Sequence, residues 1–317
     1  MTLRCAIVGV LMALCTFAAA DDLLTDLRAS AQAEVTAAAR VEIKTKTIAG
    51  TGDAEHREVQ ETLVTLATGE TTYQLQYDCV TDDQGRRLPM GQTLSELGMS
   101  LPSPANWYQG GFLDVLVDGL GLAQTPATIE DLKLPAGQAG VRVRWGKSVT
   151  LDLRVYAFDP TLYAVLQVPE TKKAELELLC YPNSFAIPRD RWLTTAKRDL
   201  QHRDNLREAL VAGERDWVLY SDRSADLVQA PKNGPCALVL LPEQWSEVTL
   251  AMGEPERPDW PAVQNYGVIT RLKPADGQTR VAIGLIDFLP MTWLSAKANV
   301  TQQAPAIQAR LRELLGP

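Results

Sequence analysis

From Arg40 onward, hydrophobic and polar residues alternate with a period of two over most of the chain. Val41, Ile43, Thr45 and Thr47 begin the pattern, and Val59, Glu61 and Leu63 continue it. Tyr73, Leu75, Tyr77 and Cys79 then face away from Thr72, Gln74, Gln76 and Asp78. Successive side chains of a strand point to opposite sides of its sheet, so this period predicts strands with one buried and one wet face. Thr68-Gly69-Glu70-Thr71 and Asp82-Asp83-Gln84-Gly85 supply turns between such runs.

The middle of the chain repeats the theme. Val141, Val143 and Trp145 alternate, Gly146-Lys147 turns the chain, and Val149, Leu151, Leu153 and Val155 run back. Asp159-Pro160 precedes Leu162 to Val168, and Pro169-Glu170-Thr171 precedes Ala174, Leu176 and Leu178. Four tandem strands with tight turns predict an antiparallel meander. Strand patterns return at Trp217 to Tyr220, Cys236 to Leu241, Val248 to Met252, Tyr266 to Leu272 and Arg280 to Phe288. Pro274-Ala275-Asp276-Gly277 turns between the last two, because Pro presets φ and Gly accepts φ > 0.

Two stretches break the period. Pro188 to Gly213 is dense in Arg, Lys, Asp and Glu and is expected as a charged excursion off the sheet, with Leu200, Leu206, Leu210 and Val211 spacing one short helical face. Near the C-terminus, Ile307, Leu311, Leu314 and Leu315 share one face of a helix over Ala306 to Leu315, which Pro305 suits as a start and Gly316 as a stop. Roughly a dozen strands at such spacing, with few helices, predict an all-β chain folded as a large antiparallel β-sandwich. The C-terminal helix and a short N-terminal amphipathic helix over Asp21 to Arg40 complete it. In architecture alone, a two-sheet supersandwich of galactose-mutarotase type accommodates this length and strand count, with no shared motif involved. Residues 21–317 are expected as a single domain; the alternative is two β domains, 40–187 and 214–317, divided at the charged stretch.

The first twenty residues change the setting. Arg4 precedes an apolar run from Cys5 to Phe17, and Ala18-Ala19-Ala20 stands before Asp21-Asp22, the order of a cleavable secretory signal. Thirteen apolar residues are too few to span a bilayer, which takes roughly twenty. An acylated lipoprotein cysteine at Cys15 is disfavoured, because Leu14 before it is not small. Residues 1–20 are therefore expected to be a signal peptide, and the mature chain to be a periplasmic or secreted protein with no further membrane span.

Removing twenty residues from 317 leaves 297, with 30 basic against 39 acidic residues and a formal charge of −9. That balance repels phosphate backbones and makes nucleic acid an unexpected partner. Three cysteines remain, Cys79, Cys180 and Cys236, enough for one disulfide in an oxidising compartment with one cysteine over; three small buried hydrophobes is the competing reading. Their spacing matches no zinc or haem motif, and no cofactor or metal is expected.

Candidate chemistry is sparse. The two histidines, His56 and His202, lie among charged residues, and no G-x-S-x-G or HExxH sequence accompanies them. Asp287, between Ile286 and Phe288, is expected as an outward-facing strand residue or capped turn; buried, it would need a partner. More suggestive are aromatic and polar loop residues, since sugars stack on rings while amides and charged groups take their hydroxyls. Asn106, Trp107 and Tyr108 follow Pro102-Ser103-Pro104, a rigid connection expected to display two rings. Tyr181 and Asn183, with Arg191 and Trp192, make a second cluster to which Trp245 and Trp260 are expected to add rings. Trp145 and Trp217 are expected in the core. Arg189 and Arg191 would suit an acidic sugar or salt bridges within the charged stretch.

Two functions fit these features. The first is a non-catalytic carbohydrate-binding or structural module of the cell envelope. The alternative is a carbohydrate-active enzyme, an epimerase, lyase or glycosidase, drawing its acid and base from His202, Asp287, Arg191 or tyrosines.

Overall fold

The alternating runs become strands, and their pairing arranges them in three antiparallel sheets. The computed structural model describes residues 39–49, 58–80, 97–103, 106–108, 111–122, 127–180, 191–202, 206–222, 234–252 and 267–316. Strands hold 58% of them, more than twice the share of an ordinary domain. The all-β antiparallel sandwich with a C-terminal helix is what the chain forms.

The largest sheet has nine strands. In spatial order they are β13 (Asp199–Gln201), β12 (Arg191–Thr195), β15 (Trp217–Asp222), β16 (Cys236–Leu240), β19 (Arg280–Asp287), β10 (Leu162–Gln167), β9 (Val149–Tyr156), β8 (Gln138–Trp145) and β7 (Ala127–Asp131). A six-stranded sheet follows the order β14 (Leu206–Ala209), β17 (Trp245–Met252), β18 (Val268–Pro274), β11 (Ala174–Cys180), β5 (Leu113–Val117) and β6 (Leu120–Gly121). The third sheet is a simple meander of β1 (Arg40–Ala49), β2 (Glu58–Ala67), β3 (Thr72–Val80) and β4 (Gly98–Leu101). A bridge between Leu97 and Leu113 joins the start of β4 to β5.

One apolar core fills the space between the nine-stranded sheet and the other two. Alternate residues of the nine-stranded sheet, such as Leu151, Leu153, Leu238 and Leu285, meet Leu176, Val248 and Leu272 of the six-stranded sheet and Val64, Leu66 and Leu75 of the third. Hydrogen bonds cross the same gap. The Tyr220 and Thr270 hydroxyls are 2.7 Å apart, and Tyr73 Oη donates to the Leu285 carbonyl at 3.4 Å.

The opposite face of the nine-stranded sheet is also apolar where Tyr163, Val165, Leu219, Val239, Ala282 and Ile286 point outward, and a helix covers it. This helix, α1 (Trp293–Leu315), lays Trp293, Ala296, Val300, Ala304, Ile307, Leu311 and Leu314 on the sheet, a stripe with the 3–4 residue period of one helical face. Thr292 caps its start by accepting from the Ser295 amide at 3.3 Å. Close contact needs Gly284 on β19, where an added Cβ would stand 2.8 Å from Ile307 Cγ2. No helix among the described residues is long and apolar enough to cross a membrane.

Several expectations need correction. The helix begins at Trp293 and carries Pro305 inside it, twelve residues beyond its N-terminus, where proline removes one amide donor without ending the helix. The four-strand meander is displaced by one strand: β7, β8, β9 and β10 pair in turn, and β11 crosses to the six-stranded sheet because β19 already occupies the other edge of β10. The charged stretch after Pro188 supplies β12, β13 and β14 rather than an excursion; Arg207 falls on an exposed strand position, Arg198 pairs with Glu214 at 2.6 Å, and Arg191 is buried. The expected N-terminal helix is unsupported: 21–38 lie outside the described residues, and Arg40 already opens β1. The signal segment 1–20 and the Asp82–Gly85 turn also lie outside the described residues. Both larger sheets draw strands from either side of the charged stretch.

Candidate functional site

At one end of the sandwich the interior turns polar. Strand ends Cys180, Arg191, Asp222, Cys236 and Asp287 are brought together there by cross-strand pairs Arg191 with Asp222 and Cys236 with Asp287, and by the Cys180 and Cys236 sulfurs. Asp287 keeps the inward parity of Ile283 and Leu285, so it points into the sandwich rather than outward, and it is only 8% exposed. The outward orientation expected for it is thus corrected. Asn106 Nδ2 donates to Asp287 Oδ1 and to the Gly234 carbonyl, both at 2.6 Å. Asp287 Oδ2 has no hydrogen-bond partner among the described residues. Burial pushes the Asp287 carboxyl up to about 7, with the Asn106 amide pulling the other way. Such a group is held protonated across much of the acid range.

The aromatic loop residues divide similarly. Trp107 is fully buried, edge-on to Phe112 and Tyr220 at centroid distances of 6.2 and 5.6 Å, so its ring fills the core instead of forming a displayed platform. Asn106 is fully buried beside it, and Tyr108 is half-buried. Arg191 is fully buried on β12, while Trp192 next to it is half-buried on the opposite face, so alternation separates them. Trp245 joins Trp145 and Trp217 among the buried residues. His202 is half-buried. Tyr181, Asn183, Arg189, His56 and Trp260 lie outside the described residues. The structure therefore gathers Asn106, Trp107 and Asp287 in one buried end.

The accessible chemistry lies elsewhere, on the outer face of the six-stranded sheet. Alternation puts Val248, Leu250 and Leu272 inward and leaves Glu247, Thr249, Arg271 and Lys273 outward on neighbouring strands. Register completes the set: Ala209 lies opposite Thr249, Thr249 opposite Arg271, Arg271 opposite Glu177, and Glu247 opposite Lys273. A cavity of about 350 Å³ opens here, lined by Glu175, Arg207, Ala209, Glu247, Thr249, Arg271, Leu272 and Lys273.

Its polar groups are partly committed. Arg271 Nε donates to Glu177 Oε2 at 2.9 Å, and Thr249 Oγ1 donates to Glu247 Oε1 at 2.9 Å. The exposed Lys273 ammonium pairs with no carboxylate among the described residues. Its described lining contains no aromatic ring. Among the described residues, no group of three or more His, Cys, Asp or Glu is placed to hold a metal ion.

Sequence reasoning missed this face. Its local signal was present in Glu247-Val248-Thr249-Leu250 and Arg271-Leu272-Lys273, where charged and apolar residues alternate on strands close in sequence. Arg207 and Glu175 could not be added without knowing that β14 and β11 flank those strands.

The fold and this face define a β-sandwich whose larger sheet is backed by a helix and whose smaller sheet presents an open charged surface. No protein-family model and no curated protein matches the chain.

Proposed function

We propose that this is an exported cell-envelope β-sandwich that binds, without catalysis, a carbohydrate bearing acidic groups on the outer face of its six-stranded sheet. The observation that carries the reading is the composition of the 350 Å³ cavity, where Arg207, Arg271 and Lys273 stand with Glu175, Glu247 and Thr249 on the outward side of the sheet. Guanidinium and ammonium groups suit carboxylate or sulfate substituents, and carboxylates and the threonine hydroxyl suit sugar hydroxyls. The lack of a stacking ring in the described lining favours a charged saccharide over a neutral one. Export is supported by the secretory pattern of residues 1–20.

The test is binding of the wild type and of an Arg207→Ala, Lys273→Ala double variant to an array of uronate-bearing, sulfated and neutral glycans. Loss of two charge-assisted contacts should weaken binding to the acidic glycans at least about tenfold while leaving the circular dichroism spectrum unchanged. Equal binding by the two proteins, or no glycan bound by the wild type, removes the reading.

A further inference from the structure

Of the three cysteines beyond residue 20, Cys180 and Cys236 lie side by side in the fold. Cys180 ends β11 in the six-stranded sheet, and Cys236 opens β16 in the nine-stranded sheet. Both side chains point into the shared core, with exposures of 1% and 0%, and their sulfurs stand 3.4 Å apart as thiols. That is about 1.4 Å beyond a bonded pair of sulfurs, a gap that small side-chain rotations close. Cys79 sits on β3 in the four-stranded sheet, opposite Gln60.

We propose that Cys180 and Cys236 form a disulfide that ties the two facing sheets together at the polar end of the sandwich, and that Cys79 stays a thiol. The inference goes beyond the ligand reading and does not depend on it. The oxidant is a disulfide, either oxidised glutathione or the disulfide of an oxidoreductase. One cysteine thiolate attacks the oxidant's S–S bond, giving a mixed disulfide and releasing one sulfur of the oxidant as a thiol. The second thiolate attacks the mixed disulfide, forming the Cys180–Cys236 bond and releasing the other sulfur. Two electrons pass from the cysteines to the oxidant, and the two thiol protons end on the released sulfurs. With both cysteines at 1% exposure or less, this exchange belongs to the chain before the sheets close over it. Once closed, the bond is shielded from reductant.

The bond would lie within the buried node. Cys236 pairs across β16 and β19 with Asp287, and its sulfur lies 3.9 Å from the Asn106 carbonyl. It would also act beside the Tyr220–Thr270 hydrogen bond, which spans the same two sheets.

The experiment refolds residues 21–317, which carry Cys79, Cys180 and Cys236 as their three cysteines, from urea under reducing conditions and, separately, with oxidised glutathione, then alkylates the thiols and maps the peptides by mass spectrometry. The expected product after oxidative refolding joins the peptides carrying Cys180 and Cys236 and leaves Cys79 alkylated. Closing a loop of this size should raise the melting temperature by roughly 5 to 10 °C over the reduced protein. Cys79→Ser should keep both the bridge and the shift, and a Cys180→Ala, Cys236→Ala double variant should melt at one temperature under both conditions. Alkylation of all three cysteines after oxidative refolding, or a bridge that includes Cys79, overturns the proposal. Peptide mapping of the wild type and of Cys79→Ser decides the matter even if the double variant does not fold. Because the oxidant is supplied in the tube, the outcome is read independently of whether the chain is exported or binds a glycan.

Discussion

The outer faces of the two larger sheets are built by the same alternation and end in opposite states. On β16, every residue from Cys236 to Leu240 is buried, because the positions pointing away from the core are Ala237 and Val239 and the helix lies on them. On β17 and β18, the equivalent outward positions are Glu247, Thr249, Arg271 and Lys273, of which Glu247 and Lys273 are exposed, Arg271 is half-buried and Thr249 is buried. The difference teaches that a strand's outward residues decide whether its sheet needs a second cover. A continuous apolar run calls for one, and a strict alternation leaves the face open for ligand chemistry. The five larger buried helix side chains, Trp293, Val300, Ile307, Leu311 and Leu314, at ~1.5 to 3 kcal/mol each make the covered face a major source of stability. The open face contributes almost none.

The largest effect should come from breaking the cover. Trp293 is 5% exposed, packs on the outer face of the nine-stranded sheet and donates through Nε1 to the Thr194 hydroxyl at 3.2 Å. Trp293→Ala removes both and is expected to cost about 3 to 5 kcal/mol, seen as a lower urea midpoint. A loss under 1 kcal/mol would mean that the helix rests on the sheet without holding it.

A middle-sized effect should come from the buried layer between the two faces, and it should depend on pH. The Asp287 carboxyl is raised by burial from its ordinary 3.8 to about 7 in the folded protein. Its proton therefore favours folding in full below about 4, and that contribution is lost as pH rises through about 7. Asp287→Asn keeps an oxygen to accept from Asn106 and removes the titration. The variant should match the wild type near pH 4 and exceed its stability by roughly 2 to 4 kcal/mol at pH 8. Chemical denaturation at both pH values measures this; parallel curves at the two pH values would show that Asp287 reaches solvent in the folded protein.

Both faces were partly legible in the sequence, for different reasons. The apolar run Cys236 to Leu241 and the alternation at Arg271-Leu272-Lys273 are local patterns, and both gave strands where strands stand. The helix was misplaced at its start because Pro305 suits an N-terminus, and nothing local tells that position from a proline tolerated within a packed helix. The strands β12, β13 and β14 were missed because they are three to five residues long and rich in charge, so pairing with β15 and β17 decides them rather than propensity. The burial of Trp107 and Asp287 was equally hidden. Which side of a loop or strand end meets the core follows from partners more than a hundred residues away, such as Asn106 for Asp287.

The smallest effect on stability should come from the open face, and that smallness is what makes it informative. Lys273 is exposed on β18, opposite Glu247, and its side chain crosses no apolar surface that the core depends on. Lys273→Ala is therefore expected to leave the urea midpoint within about 0.5 kcal/mol of the wild type at neutral pH. Trp293→Ala on the covered face and Lys273→Ala on the open one then form a matched pair, one large and one near zero on sheets of the same construction. Should Lys273→Ala cost more than about 1 kcal/mol, the charged row would be holding β17 and β18 together, and its composition would be explained by stability instead of by a ligand.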